Sequence, residues 1–209
     1  MSSNDFVEVR DEPRHRHRFA NACARVYDVL VPPGDTTLFH RHVEDTLYVS
    51  IAAATVRDQT FGEEKARTSP VPAGISLCRP HRAEPLIHRV TNVGDGNMRM
   101  IGAEVHATPV QTSKQPLDAP GHELRWETAR LRAYELCLAT EESTGEIDYA
   151  FSGLTVALTQ ASLAVRDRGG LERTLVLAPG DVVWHEGPAA LRITNVGLEP
   201  YRAVVAEWL

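Results

Sequence analysis

The chain has 209 residues, of which 43% are hydrophobic and 24% are charged, and this composition is typical of a protein that folds around a hydrophobic core. Its formal net charge of -6 leaves no excess of lysine and arginine to neutralise a phosphate backbone, so we expect no nucleic acid partner. We also expect no membrane span, since no stretch has the necessary run of about 18 apolar residues. The cysteines form no CxxC pair, which favours a reducing compartment and predicts a cytoplasmic protein.

The first 19 residues are rich in arginine and have no strand pattern. They contain His15-Arg16-His17, a pair of histidines two residues apart. Such a short motif has low specificity, so we interpret residues 1 to 19 as an arm in front of the first domain and do not assign a metal to it.

Short runs of β-branched and aromatic residues follow, such as ARVYDVLV at 24–31 and MRMIGAEVH at 98–106. Runs of this kind predict strands. Turn-forming segments such as PPGD, VPAG and NVGDGN separate them at short intervals, as in an all-β barrel or sandwich.

One stretch of this region combines a turn glycine with a histidine pair. Gly34 is followed after five residues by His40-Arg41-His42, at the start of a strand. Because alternate side chains of a strand share a face, His40 and His42 point the same way. Two imidazoles on one face need only a third ligand from an adjacent strand to chelate a transition metal. His88, followed by Asn92, supplies a candidate for that ligand.

The second half repeats the first in order, which indicates two copies of one structural unit. The segments VRD at 56–58, VPAG at 71–74 and RVTNVG at 89–94 return as VRD at 165–167, LAPG at 177–180 and RITNVG at 192–197. We therefore predict one domain at residues 20 to 107 and another at 125 to 209. The polar stretch between them, 108 to 124, is predicted to be a linker.

The segments from Gly34 to His42 and from Pro72 to Asn92 resemble the two motifs of the cupin superfamily, G-x5-H-x-H-x3/4-E and P-x-G-x2-H-x3-N. The resemblance implies a double-stranded β-helix (jelly-roll-like) barrel with a divalent metal near its mouth, bound by the histidine pair, the later histidine and usually a glutamate. Extended by the repeat, it predicts a bicupin, with two such barrels in tandem.

The sequence departs from the family pattern in two places. The expected glutamate falls at Thr46 or Leu47, and the acidic residues Glu44 and Asp45 lie just before it. Either Asp45 reaches the metal after a local shift, or the site is a face of three histidines; we favour the second.

The other departure is the stretched interval before His88, which contains SLCRPHRAEPLI at 76–87. It is expected near the barrel mouth, where loops commonly contact substrate. We predict His81 and Arg82 as substrate-binding residues, with Arg82 suited to a carboxylate.

The second barrel is predicted to have lost the metal ligands. With the shared Val-Arg-Asp as register, His40 corresponds to Tyr149 and His42 to Phe151. The shared Arg-x-Thr-Asn aligns His88 with Leu191. We therefore expect a metal-free barrel with a structural or pocket-closing role.

Four residues near the predicted site are candidates for catalysis: Glu44, Asp45 and Glu104 as general bases, and Tyr48, which lies an even number of residues from His42. An outward salt bridge is the alternative use of Glu104. The donor set suits Fe(II), Zn(II), Mn(II), Ni(II) and Cu(II) and does not decide among them; we favour Fe(II) because of the reaction that we predict. We predict a dioxygenase-type oxidoreductase that acts on a small organic substrate. The alternatives are a metal-dependent isomerase or lyase, or a non-catalytic small-molecule-binding bicupin, in each case as a monomer or homodimer.

Overall fold

A computed structural model describes residues 5–110 and 112–209 of the chain. In this part of the chain the secondary structure consists of strands and one short 3₁₀ helix, Val9–Asp11, which confirms the predicted all-β class. The structure divides between Ala107 and Thr108 into two compact units, each built from two sheets. Within the described residues, no helix has the length and hydropathy needed to cross a bilayer.

The first unit contains one sheet with the strand order β1-β4-β9-β6-β7 and another with the order β2-β3-β10-β5-β8. Its strands are β1 (Val7–Glu8), β2 (His15–Ala20), β3 (Ala24–Val31), β4 (His40–His42), β5 (Thr46–Ala52), β6 (Ala54–Thr60), β7 (Arg67–Val71), β8 (Ser76–Arg79), β9 (Leu86–Asn92) and β10 (Met98–Val105).

The second unit contains one sheet with the order β11-β12-β19-β14-β17 and another with the order β13-β18-β15-β16. Its strands are β11 (His122–Glu127), β12 (Leu131–Leu138), β13 (Ser143–Tyr149), β14 (Gly153–Ala157), β15 (Ala161–Asp167), β16 (Glu172–Leu177), β17 (Val182–His185), β18 (Ala189–Asn195) and β19 (Tyr201–Trp208). Strands β11 to β19 repeat the order of β2 to β10, so the predicted pair of jelly-roll-like barrels is confirmed.

Two predicted boundaries differ from the structure. The predicted arm, residues 1 to 19, overlaps a strand: His15–Ala20 forms β2, which pairs antiparallel with β3. In the same way β11, His122–Glu127, begins within the predicted linker and pairs with β12. In both units an edge strand therefore lies outside the segment that the hydrophobic pattern indicated. These strands expose most of their side chains, so they lack the apolar alternation by which strands are recognised.

The predicted sequence alignment of the second barrel with the first was wrong by two residues in the region of His40 and His42. Val56 pairs with Asn92 in the first barrel, and Leu163, not Val165, pairs with Asn195 in the second. His40 pairs with His88 and Ile147 pairs with Leu191. The counterparts of His40 and His42 are therefore Ile147 and Tyr149, instead of Tyr149 and Phe151, while Leu191 is the counterpart of His88 as predicted.

Asn92 and Asn195 hold the same turn in both barrels. Both are fully buried. The Asn92 amide donates to the carbonyls of Val31 and Gly96, and its oxygen accepts from the Gly94 backbone N–H. Asn195 makes the corresponding bonds in the second barrel, to the carbonyls of Leu138 and Glu199 and from the Gly197 N–H. A buried amide with all its partners satisfied fixes the turn between the last two strands.

The interiors of the two barrels differ. Large buried side chains fill the second one, including Tyr134, Leu136, Ile147, Tyr149, Phe151 and Leu163. The first barrel encloses a cavity of about 470 Å³ instead. Within the described residues, the first barrel therefore offers a lined interior to a ligand, whereas side chains fill the corresponding space of the second.

Candidate metal centre

Strands β4 and β9 bring the three predicted histidines together. His40 and His88 are direct partners across the ladder, and His42 lies two residues further along the same face. The ring centroids are 4.7 Å apart for His40 and His88, 4.9 Å for His40 and His42, and 5.1 Å for His42 and His88. Among the described residues, these three form a cluster in which one potential ligand atom from each lies within 4.8 Å of the others.

Each of the three rings has a partner at its Nδ1 atom. His40 Nδ1 lies 2.9 Å from the carbonyl of Leu38, and His88 Nδ1 lies 2.9 Å from a carboxylate oxygen of Asp58. Since both partners are acceptors, both Nδ1 atoms donate, which leaves Nε2 as the nitrogen that can bind a metal in the neutral form of each ring. His42 Nδ1 lies 3.1 Å from the hydroxyl of Tyr48. Contacts of this kind fix the tautomer and orientation of metal-binding histidines.

The spacing of the nitrogens fits a metal ion. His42 Nε2 and His88 Nε2 are 3.2 Å apart, and two ligand nitrogens on one ion with bonds of about 2.0–2.1 Å are separated by roughly 3–3.5 Å. The donor set, three imidazole nitrogens without a thiolate, suits first-row divalent transition metals. The three side chains therefore fit the group that the cupin resemblance implies.

Burial keeps two of the rings neutral. Only 2% of His40 and of His42 is exposed. Desolvation, followed by the nearby His88, lowers the pKa of His40 to about 2. The same causes also lower the pKa of His42. At neutral pH both imidazoles are thus in the unprotonated form that a metal requires.

The three histidines line one side of the cavity in the first barrel. Its wall is largely apolar, with Val56, Val71, Leu86, Val90, Met98 and Met100 among the residues that line it. The volume of about 470 Å³ lies within the range of small-molecule sites. The cavity can therefore hold a small ligand against the three histidines.

Tyr48 and His81 lie beside the cluster and also line the cavity. The Tyr48 hydroxyl is 3.2 Å from His81 Nε2, and the His81 ring stacks on His42 with 4.8 Å between centroids. Burial raises the pKa of Tyr48 to above its ordinary range, so the phenol keeps its proton. His42, Tyr48 and His81 thus form one continuous hydrogen-bonded row.

The remaining predicted residues are not brought to the cavity. Glu44 forms an ion pair with Arg82, with 2.7 Å between the nearest nitrogen and oxygen. An Asp45 carboxylate oxygen accepts the backbone N–H of Arg82 at 3.0 Å. Neither acid joins the histidine cluster, which supports three histidines over a shifted Asp45 ligand. Arg82 is likewise not part of the cavity lining, and its guanidinium is paired with Glu44.

Glu104 forms a salt bridge, the predicted alternative to a catalytic role, but the carboxylate is buried and not outward: it is 5% exposed and lies on the same face of β10 as Met98 and Met100, which line the cavity. Both of its carboxylate oxygens accept from Arg25, at 2.7 Å each. The second barrel has a matching pair, Arg132 and Glu207, with 3.1 Å between the nearest atoms. The recurrence of the pair in a barrel without the three histidines favours a structural role over a catalytic one.

Several residues of the cavity were not assigned to it from the sequence, and those with groups that can ionise include His15, Asp58 and Arg79. His15 lines it and packs edge-on against His40 with 4.7 Å between centroids. Asp58 supports His88, and Arg79 lines the cavity three residues before Arg82. The His15-Arg16-His17 pair and the Val-Arg-Asp repeat were visible in the sequence, but nothing in either pattern places them beside His40 or His88.

Comparisons with known proteins identify the fold. No family model matches the chain, and no curated protein matches its sequence. Solved structures do match. Salicylate 1,2-dioxygenase from Pseudaminobacter salicylatoxidans superposes with a TM-score of 0.65 at 15% identity, over 95% of this chain and 77% of that one. A variant of oxalate decarboxylase OxdC from Bacillus subtilis gives 0.61 at 11% identity, over 92% and 74%. AerE from Microcystis aeruginosa gives 0.58 at 8% identity, over 95% and 98%.

The structure and these matches define a protein of the cupin fold, as the sequence motifs predicted. The two units are two such barrels in tandem. The first carries a cluster of three histidines in a small-molecule cavity, and the second has Ile147, Tyr149 and Leu191 in the same places.

Proposed function

We propose that the first barrel is the active site of a metal-dependent oxidoreductase of the dioxygenase type, acting on a small organic substrate. The observation that carries this proposal is the convergence of His40, His42 and His88, each with its Nδ1 atom already occupied, on one wall of an apolar cavity. The likeness to salicylate 1,2-dioxygenase supports the choice of reaction, since that protein has the same fold over 95% of this chain.

The three imidazoles would hold the metal, for which we favour Fe(II); Zn(II), Mn(II), Ni(II) and Cu(II) suit the same nitrogen donors. When bound, a divalent transition metal supplies a Lewis acid and, in the case of iron, redox chemistry with oxygen. Leu38, Tyr48 and Asp58 orient the ligands through their Nδ1 atoms. The affinity of the site therefore depends on these partners as well as on the ligands themselves.

The surrounding residues bind and shield the substrate. The aliphatic and methionine side chains of the wall exclude water from the face of the three histidines, which strengthens electrostatic interactions there. The hydroxyl of Tyr48 lies between His42 Nδ1 and His81 Nε2. It can hold one proton in that row, and His81 can take up or return a proton next to the cavity.

A lyase or isomerase is the second candidate. The likeness to oxalate decarboxylase, with a TM-score of 0.61, is almost as high as that to the dioxygenase. The row of Tyr48 and His81 can also transfer protons in a reaction that consumes no oxygen. A third candidate is a binding module that holds a small molecule without turnover.

Metal analysis followed by an oxygen-uptake screen tests the proposal. We expect about one metal ion per chain in the purified protein. The Fe(II)-loaded protein should consume oxygen with at least one compound from a panel that includes gentisate, salicylate and oxalate. His88→Ala removes one ligand and should abolish both metal retention and oxygen uptake. His106→Ala is the matched control, since this histidine contacts Glu104 outside the cluster.

The outcomes separate the candidates. Turnover that continues without oxygen would favour the lyase or isomerase, and saturable binding without turnover would favour the binding module. Equal metal content in the wild-type protein and in His88→Ala would contradict the metal site itself.

The partner that this proposal implies is a small-molecule substrate. The monomeric or homodimeric state stays a prediction, which light scattering after gel filtration would test. The cytoplasmic location also stays a prediction; it agrees with the absence of a disulfide among the described cysteines.

A further inference from the structure

The position of Arg79 in the cavity follows from its place in strand β8 and from its exposure. Arg79 ends strand β8, where alternate residues share a face, and both Leu77 and Arg79 line the cavity while Ser76 and Cys78 do not. The residue is also exposed, so it lies where the cavity meets solvent. Arg79 therefore belongs to the mouth of the cavity.

The guanidinium of Arg79 has no hydrogen-bond or ion-pair partner among the described residues. The other arginines near the site are held by carboxylates: Arg25 by Glu104 and Arg82 by Glu44. Glu84 lines the same cavity but forms no ion pair with Arg79 within the described part of the chain. Asp58, the other carboxylate of the lining, is occupied by His88. A planar, permanently charged group is thus left free to bind an anion.

The charge of a metal ion held by the three histidines also favours an anionic ligand. Three neutral imidazoles bring no negative charge to a divalent ion, and Thr46 and Leu47 stand where the family motif has a glutamate. Charge buried in an apolar setting is costly unless it is paired. An anionic ligand would offset the charge that this ligand set leaves uncompensated.

We propose that the cavity binds a small organic acid with an apolar body and that Arg79 determines this specificity by binding a carboxylate at the mouth. The apolar body lies against the wall formed by residues such as Val71, Leu86 and Met100. The inference rests on the proposed function, because it names the substrate class of the same cavity. An arginine fork matches a carboxylate in a bidentate arrangement, which gives both affinity and orientation.

A matched pair of probes tests this inference on the full chain. Benzoate and benzamide have nearly the same shape and differ in charge. We expect calorimetry with the Zn(II)-loaded protein to show tighter binding of benzoate by about tenfold or more, which is typical of a charge-assisted hydrogen bond. Arg79→Gln should remove most of this preference without changing the affinity for benzamide. Arg79→Lys should restore part of it.

The controls separate the inference from the proposed function. Arg67→Gln removes an exposed arginine of strand β7 that does not line the cavity, and it should leave the preference intact. Each variant is checked for folding by circular dichroism and for zinc content. Unchanged preference in Arg79→Gln would assign the selectivity to the metal alone and overturn the role of Arg79. If Arg82→Gln loses the preference for benzoate and Arg79→Gln keeps it, Arg82 binds the carboxylate and the role of Arg79 is overturned.

The metal-free protein is titrated as well. There Arg79 alone must still favour benzoate over benzamide, and equal binding would overturn the inference while the metal site stands. If the protein retains no zinc but keeps a preference that depends on Arg79, the proposed function fails and the anion site remains.

Discussion

Asp58 shows how a single residue outside the ligand set controls the site. Its carboxylate lies 2.9 Å from His88 Nδ1 and is the only charged group among the three partners of the ligand rings. The other two rings contact the Leu38 carbonyl and the Tyr48 hydroxyl. Because a carboxylate makes the imidazole a stronger donor, Asp58 should contribute most to the basicity of the site.

Replacing Asp58 with alanine should weaken metal binding by roughly 10–100-fold, the usual cost of losing such a partner. Competition with a chromophoric chelator would measure the change. Asp148→Ala is a suitable control because Asp148 is an exposed residue of the second barrel, paired with Arg168. An affinity equal to that of the wild-type protein would show that Asp58 does not support His88.

A second residue-scale feature is the turn before β4 and β13. Gly34 adopts φ +76° and donates its N–H to the Asn92 carbonyl, and Glu141 adopts φ +64° and donates to the Asn195 carbonyl. The left-handed conformation costs roughly 1 kcal/mol for a residue with a Cβ atom. The second barrel therefore carries strain that the first avoids with glycine.

Glu141→Gly should stabilise the protein by about 0.5–1 kcal/mol through relief of this strain, offset in part by the greater freedom of glycine in the unfolded chain. Urea denaturation would measure the gain. Glu141→Ala keeps the Cβ atom and serves as the control, since it should give little or no gain. A stabilisation of the same size in both variants would show that the charge of Glu141, not its backbone conformation, is the cause.

At the scale of elements, Glu135 ties three strands of the second barrel together. It lies on β12 and accepts hydrogen bonds from Arg202 on β19, at 2.6 and 3.0 Å, and from Arg125 on β11. The hydrogen bonds from Arg202, followed by those from Arg125, lower the pKa of Glu135 to about 2. Because the folded pKa lies below the ordinary value, the ionised carboxylate stabilises the folded barrel.

Glu135→Gln should lower the free energy of unfolding at pH 7 by about 1–2 kcal/mol, a discounted figure because the two arginines are half exposed. The stabilisation is fully present above the unfolded pKa near 4.5 and is lost as the pH falls from there towards 2. The difference between wild type and variant in urea denaturation should therefore shrink below about pH 4.5. Glu172→Gln, at an exposed position of β16, is the control. A difference that does not change with pH would contradict the ionic role.

The strands themselves were largely predictable, but their alignment between barrels was not. The shared Val-Arg-Asp placed Phe151 opposite His42, whereas the hydrogen-bonded pairing gives Tyr149. A slip of two residues keeps every side chain on its own face of the sheet, so the hydrophobic pattern fits both alignments equally well. The pairings of Leu163 with Asn195 and of Ile147 with Leu191 distinguish them.

For the whole molecule, the sequence indicated two barrels because the repeated segments keep the same order in both halves. The histidines of β4 and β9 could also be predicted, since their spacing and strand phase are local properties. The contact of His15 with His40 could not, because it depends on how distant strands come together in three dimensions. The segment 76–87 was expected near the barrel mouth, but the sequence did not indicate that Arg79 would line the cavity and Arg82 would not.

Metal binding should stabilise the first barrel selectively. At a free metal concentration of 100 times Kd, binding to the folded state alone is worth about 2.7 kcal/mol. We expect hydrogen exchange to slow in β4 and β9 when Zn(II) is added, and to return to its original rate with a chelator. Strands β13 and β18 are the internal reference and should not change. Equal protection in both barrels would contradict a site confined to the first.

The packed interior of the second barrel limits what engineering can recover there. Exchanging Ile147, Tyr149 and Leu191 for histidine would graft the three imidazoles but not their surroundings. Phe151 would still fill the space next to them, and Val165 stands where Asp58 supports His88 in the first barrel. The three introduced histidines would be crowded and would have no carboxylate partner, so on their own they should bind a metal poorly. A metal site in the second barrel would also need more space next to the histidines and a carboxylate that supports one of them.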